Sequence, residues 1–298
     1  MAASSGRTRP PGTDRGRGSD ELGAHVSAAG GLARAPARAA ALGSAVLQLF
    51  TKQPGRWAEP LFDSAAIDAF IAARAAHGIR TAAAHAAYLI NLASPDPVLR
   101  ERSYDAFAGE LGRCVAFGLE YLVCHPGSAM GDQRARALER NADGIRRALA
   151  AVPGDVMVLL ETTAGAGSCL GSTFEELAEL LHLVGMPERV GVCVDTCHVW
   201  AAGYDLAGDY EHVMHQLDQS VGLGMVRLFH LNDSLGARGG RRDRHAHIGL
   251  GTLGLEPFRR LLRDERLRGI PKLLETPKDG DALRADRRNL RRLRSLRA

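Results

Sequence analysis

Histidines and acidic residues recur along this chain just where short apolar runs end. His25 stands near the end of Leu22–Val26, His85 follows Arg80–Ala84, and His125 follows Glu120–Cys124. Glu161 follows Val156–Leu160, Asp195 follows Val190–Val194, His230 follows Met225–Phe229, and Glu275 follows Ile270–Leu274. Only Val46–Phe50, which runs on into Thr51 and Lys52, lacks such a group. Histidine contributes 11 and Asp plus Glu 34 of the 298 residues, about one position in seven, so seven of eight run ends is not a chance pattern. Clustered carboxylates repel one another unless a cation lies among them, so convergence of these ends implies a metal centre. Imidazole and carboxylate without thiolate suit zinc, manganese or iron, and argue against a structural zinc knot. Such a centre lowers the pKa of bound water, and more than one ion suits phosphate-ester cleavage.

Two further segments extend the set. In Val194-Asp195-Thr196-Cys197-His198 the histidine lies three residues past the acid, a spacing that lets the two side chains reach different metals. The long segment after His230 holds Asp243-Arg244-His245, whose acid and histidine can point the same way, and His247 lies two residues on. His77, His182, His212 and His215 fall in helical stretches and read as surface or core residues.

The elements that must position these groups alternate. Helix-like stretches at Ser64–His77, Val98–Phe117, Asp132–Ala150 and Thr173–Val184 separate the eight apolar runs. Eight strands alternating with helices call for parallel pairing with right-handed crossovers. At this length the fold class is α/β, a single (β/α)8 TIM barrel with the site at the C-terminal mouth of its strands. An open doubly wound sheet is the alternative, but no G-x-G-x-x-G turn follows the first strand. The last segment, Ala282 to Ala298, sets Leu283, Leu290 and Leu293 near one helical face and reads as a final barrel helix with a solvated arginine face. Residues 1–20, rich in Gly, Pro, Ser and Arg, read as a disordered tail, and 21–298 as the barrel domain.

Composition narrows the setting. Hydrophobic residues make 45% and charged residues 24%, which suits one large globular domain. No apolar run reaches the ~20 residues that span a bilayer, and no secretory signal opens the chain, so a cytoplasmic address is expected. Five scattered cysteines form no disulfide framework; Cys193 and Cys197 flank Asp195 and His198 and can support the site without ligating. A net charge of +4 favours an anionic partner only mildly.

Taken with their order, the motifs resemble the endonuclease IV family of apurinic/apyrimidinic endonucleases. The matching stretches are Gly23-Ala-His-Val-Ser-Ala-Ala-Gly-Gly31, His85-Ala-Ala-Tyr-Leu-Ile-Asn-Leu92, His125-Pro-Gly-Ser128 and Glu161-Thr-Thr-Ala-Gly165. Val192-Cys-Val-Asp-Thr-Cys-His198, His230-Leu-Asn-Asp233, Asp243-Arg-His245 and Leu274-Glu-Thr-Pro277 complete the series. The resemblance implies three zinc ions. His85, His125 and Glu161 would hold the first; Glu161, as bridge and central catalytic group, with Asp195, His230 and Glu275 the second; His198, Asp243 and His245 the third. Four ligand carboxylates against three divalent ions leave the mouth formally positive, ready for a phosphodiester. The implied reaction is attack of activated water on the phosphate 5′ to an abasic site in duplex DNA, leaving a 3′-hydroxyl and a 5′-deoxyribose phosphate. Blocked 3′ ends would be trimmed by the same metals.

Tyr88 matches a family aromatic that contacts the DNA groove, and Trp57 a tryptophan of the second loop. The family pattern has a DNA-inserted arginine two residues before that tryptophan; here Gly55 stands there, with Arg56 beside it as the candidate substitute. His25 matches a family residue that supports the ligands without touching a metal. No protein partner is implied, and nothing demands more than a monomer. The main rival is a metal-dependent sugar isomerase or epimerase of similar barrel fold, which would not need the His198, Asp243 and His245 set. A Schiff-base aldolase needs a lysine deep in the mouth, whereas Lys272 begins its strand at the wrong end and Lys52 and Lys278 sit in loops. A DNA-binding module without activity would tolerate lost ligands, yet every expected ligand is present.

Overall fold

The computed structural model describes residues 21–297, so the tail expected over 1–20 lies outside the described residues. Strands β1 (Leu22–His25), β2 (Val46–Leu49), β3 (Thr81–His85), β4 (Tyr121–Cys124), β5 (Met157–Glu161), β6 (Val190–Asp195) and β7 (Val226–His230) stand side by side. Two short strands, β8 (Asp233–Ser234) and β9 (His245–Ala246), lie outside the barrel, and β10 (Lys272–Leu274) closes it between β7 and β1. Every pairing around the barrel is parallel. Such strands are covered on both faces, which is why they read as continuous apolar runs.

Helices α1 (Ala35–Ala41), α2 (Ser64–Ala76), α3 (Pro97–Ala116), α4 (Arg134–Ala151) and α5 (Phe174–Val184) ring the first half. They are followed by α6 (Thr196–Ala202), α7 (Tyr210–Ser220), α8 (Glu256–Arg263) and α9 (Ala282–Ser295). Local chemistry starts them: Asp63, Thr173, Asp209 and Asp281 each accept a backbone N–H from the first turn of the helix that follows. The last helix buries Leu290 and Leu293 and leaves Arg284, Arg287, Arg288 and Arg291 exposed, as expected of a covering helix. None of the described helices is long and apolar enough to cross a membrane.

The barrel axis explains the site. Val46, Ala83, Val123, Leu159, Cys193, Leu228 and Leu273, one from each barrel strand but β1, pack as a separate apolar plug. β1 contributes Gly23, where a Cβ would lie 2.2 Å from the Val46 carbonyl oxygen, so only glycine fits. Side chains alternate along a strand, so the residue two further on faces inward again. Those residues are His25, Gln48, His85, His125, Glu161, Asp195, His230 and Glu275. The apolar plug therefore forms the floor, and a polar layer stands on it.

Candidate metal centre

Glu161 is the hub. It is fully buried at the end of β5, and its two oxygens serve different neighbours. Oε2 lies 3.1 Å from His85 Nε2 and 3.1 Å from His125 Nε2. Oε1 lies 2.7 Å from His230 Nδ1, which is itself 3.3 Å from Glu275 Oε2 and 4.0 Å from Asp195 Oδ2. Two groups of expected ligands thus share one carboxylate.

The third group follows from a helix cap. Asp195 Oδ1 accepts the backbone N–H of His198 at 2.9 Å, so the acid that ends β6 also starts α6 and sets His198 in its first turn. The segment after β7 folds back because β8 pairs antiparallel with β9, Ser234 opposite His245. Buried Asp233 ties this loop down by accepting the N–H groups of Ser234, Gly249, Gly251 and Leu253. A side chain at Gly251 would strike the Ser234 carbonyl oxygen at 2.3 Å. The fold-back brings His245 Nε2 to 3.6 Å from Asp195 Oδ2 and 3.2 Å from Asp243 Oδ1, while Asp243 Oδ2 lies 3.2 Å from His198 Nε2.

All nine expected ligands therefore meet at the mouth. The ring orientations are set from behind. His85 Nδ1 donates to the Ala86 carbonyl at 2.8 Å, His198 Nδ1 to that of Thr162 at 2.7 Å, and His245 Nδ1 to that of Glu275 at 3.1 Å. These contacts turn the Nε2 atoms toward the cluster. His198 Nε2 and His245 Nε2 are buried without a hydrogen-bond partner, although each faces an Asp243 oxygen. Ligand atoms on one tetrahedral zinc stand about 3.4 Å apart, so this spacing suits a divalent ion between them. Three overlapping sets of groups close enough to share an ion cover the expected ligands except Asp243: His85, His125 and Glu161; Glu161, Asp195, His230 and Glu275; Asp195, His198 and His245. Asp243 forms a fourth such set with Cys197 and His245.

Electrostatics points the same way. Burial opposes charge on His85, but Glu161 outweighs it and raises the imidazole to about 9. His245, against the same burial, is raised to about 9 by Asp195 and Asp243, and His198 and His230 are raised as well. Glu161 is held well below the usual carboxylate range despite burial, chiefly by His230 and His125. Burial and nearby carboxylates push Cys193 and Cys197 up, Cys197 to about 12, so they stand beside the cluster as neutral thiols.

Other expectations fared unevenly. His25 Nδ1 lies 3.3 Å from Glu275 Oε1 and supports that acid. Tyr88 is 66% exposed, edge-on to Phe50 at 5.5 Å, and its phenol is raised to about 12 by partial burial and the nearby carboxylates. Tyr88 and Arg56 both line a cleft of about 980 Å³ beside the cluster. Trp57 does not; its ring lies under the Arg102 guanidinium at 4.5 Å. His247 is turned away, with Nε2 2.7 Å from Asp279 Oδ2 and Nδ1 bonded to Asn289. Lys272 sits at the closed end, donating to the Leu267 and Ile270 carbonyls.

The second strand brings no histidine or acid to the mouth, as read from sequence, but it does bring an amide. Gln48, fully buried on β2, accepts from His230 Nε2 at 2.9 Å and donates to Glu275 Oε1 at 2.5 Å. Its signal was a single polar residue inside Val46-Leu47-Gln48-Leu49, in phase with Val46. Asn232 was also missed. Its amide donates to Asp195 Oδ2 at 2.6 Å, and its oxygen accepts the Glu275 N–H at 2.9 Å.

A parallel (β/α)8 barrel with a histidine–carboxylate mouth defines a class, and residues 36–296 match the family model described as a xylose isomerase-like TIM barrel. Within that class, a protein of Chloroflexus aurantiacus named "Probable endonuclease 4" is 46% identical over 278 residues, covering 92% of this chain and 97% of that protein. A protein of the same name from Geobacter sulfurreducens is 45% identical, with 93% and 94% covered. The crystal structure of endonuclease IV from Thermus thermophilus matches with a TM-score of 0.83 at 39% identity, covering 92% of this chain and 98% of that one. The chain belongs to the endonuclease IV family. An E. coli 3-keto-D-glucoside 4-epimerase, 15% identical with a TM-score of 0.68, shares the fold alone.

Proposed function

We propose that this protein is an apurinic/apyrimidinic endonuclease that hydrolyses the phosphodiester 5′ to an abasic site in duplex DNA. The products are a 3′-hydroxyl and a 5′-deoxyribose phosphate, blocked 3′ ends are trimmed at the same site, and the step belongs to base excision repair. Three zinc ions serve it, with manganese or iron as alternatives at some positions. His85, His125 and Glu161 hold one ion, Glu161, Asp195, His230 and Glu275 the next, and His198, Asp243 and His245 the third. The observation that carries this reading is the division of Glu161 between two imidazole groups, with a further set built around Asp243.

Bound divalent ions would polarise the scissile phosphate and stabilise charge on the attacking and leaving oxygens. The protein supplies the rest. Glu161 sets the spacing between groups, the carbonyls of Ala86, Thr162 and Glu275 hold three rings in place, and the apolar plug keeps water from entering below. Phe50, Tyr88 and Arg56 line the adjoining cleft, where an aromatic edge and a cation suit a base-free sugar and its phosphate. A nucleotide without a base leaves the stack at low cost, which favours the lesion over intact DNA. A sugar isomerase would leave the Asp243 set without a task.

Incision of a duplex with one natural abasic site tests the products. DNA polymerase should extend the nicked strand directly, because the 3′ end is a hydroxyl. An end that must be trimmed before extension would contradict hydrolysis on the 5′ side.

A further inference from the structure

His230 is oriented differently from its neighbours. His85, His198 and His245 turn Nε2 to the cluster and anchor Nδ1 on a backbone carbonyl. His230 presents Nδ1 instead, 2.7 Å from Glu161 Oε1, and its Nε2 meets the side chain of Gln48. Both residues are fully buried, so no water competes for this contact. Neighbour chemistry settles which end of the amide is which. A flipped amide would set an oxygen 2.5 Å from the Glu275 carboxylate, which can only accept, and so replace a hydrogen bond by a repulsion. With the oxygen toward His230, the ring must carry its proton on Nε2.

We infer that Gln48 is a positioning residue that fixes the Nε2-protonated form of His230, offers its Nδ1 lone pair to a metal, and holds Glu275 for that same ion. The inference rests on the metal reading of this site. One amide thus orients two of the four groups in the set of Glu161, Asp195, His230 and Glu275, and it also approaches His25 Nδ1 at 3.0 Å. Outer partners of this kind are worth about 10- to 100-fold in metal affinity.

The test needs no DNA. Zinc-loaded wild-type protein should show, in two-bond proton–nitrogen correlations, a His230 ring protonated at Nε2 and coordinated through Nδ1. Gln48→Met keeps the volume and loses both polar contacts. It should bind one of three zinc equivalents about 10- to 100-fold more weakly in chelator competition and lose the fixed His230 tautomer. Gln48→Glu retains an acceptor for Nε2, so it should keep the tautomer while still weakening the ion through repulsion of Glu275. An Nδ1-protonated His230 in the zinc-loaded wild type, or three equivalents bound by Gln48→Met with unchanged affinity, overturns the inference. The wild-type spectrum decides even where a variant fails to fold. Full zinc loading without any DNA incision would count against the endonuclease reading alone.

Discussion

Glu161 faces His85 and His125 with one oxygen and His230 with the other, so in the proposed assignment its removal takes a ligand from two ions at once. Glu161→Ala should lower incision at least ~100-fold, since the metals' charge stabilisation is worth several kcal/mol, and should reduce bound zinc. Tyr88→Ala should weaken binding of lesion DNA and leave zinc content unchanged; full activity in Glu161→Ala would contradict the ligand assignment. Gly55 gives a prediction of the opposite sign. Its backbone is not in the left-handed region, and a Cβ there would meet nothing within 4 Å. Gly55→Arg should therefore fold as well as the parent and bind lesion DNA roughly three- to tenfold more tightly at low salt, the gain shrinking as salt is added. Unchanged binding in a salt titration would show that this loop does not meet DNA. Single residues were legible where the side chain announces its chemistry, as with the nine histidines and acids that the structure brings together at the mouth. Gln48 and Asn232 were not, because neutral amides carry no titratable signal and act only through partners far away in sequence.

At the scale of elements, α3 positions the two loops that flank the cleft. Glu59, in the loop after β2, is clamped between the buried ammonium of Lys52 and Arg113 Nη1, and Arg113 Nε donates to Thr51 Oγ1. Arg102 covers the Trp57 ring, and Glu110 accepts the Ala87 N–H in the loop after β3. Glu59→Ala leaves Lys52 buried without its acid, at a cost of about 1–3 kcal/mol, less than for a wholly buried pair because Glu59 is partly exposed. Fluorescence of Trp57 in a Trp200→Phe background should become easier to quench, and lesion affinity should fall about tenfold with turnover and zinc content unchanged. Unaltered quenching would mean that the loop holds its shape without the clamp. Strands were readable as apolar runs and the long helices from their periodicity, with ends displaced by a residue or two. The short helix α6 was not, because Asp195-Thr-Cys-His198 reads as a turn until Asp195 is seen to cap it. Nor was the hairpin of β8 and β9, whose two-residue strands carry no period of their own.

At the scale of the whole molecule, eight strands place a polar layer on an apolar plug, and the polar layer carries a dependence on pH. His85 and His245 have folded values near 9, above the ordinary 6.5. Their pairing with carboxylates therefore adds stability that is complete below about pH 6.5 and is lost as pH rises through about 9. Glu161, Glu275 and Asp243, whose values are lowered, add stability present above the ordinary carboxylate range and lost in acid. Protein stripped by chelation should thus lose Tm steadily from pH 7 to 10. With zinc restored, stability should instead rise from pH 5 to 7, because ligands must shed protons to bind. A flat Tm between pH 7 and 10 in the stripped protein would mean that these pairs do not couple to folding. The barrel was legible as a whole because each strand repeats one pattern. The floor beneath the site was not, since Val46, Ala83 and Leu228 look like any other core residues until the strands close.

If the three groups gathered around Glu161, Asp195 and Asp243 hold metals that cut DNA beside a missing base, incision must follow the metal. The most direct measurement offers the purified protein a duplex with one tetrahydrofuran analogue, which cannot undergo β-elimination, before and after prolonged chelation and again after zinc is restored. A single nick on the 5′ side of the analogue, lost with the metal and recovered with zinc, is the result predicted. An intact duplex in the presence of zinc-loaded protein, or a nick that survives complete metal removal, would contradict it.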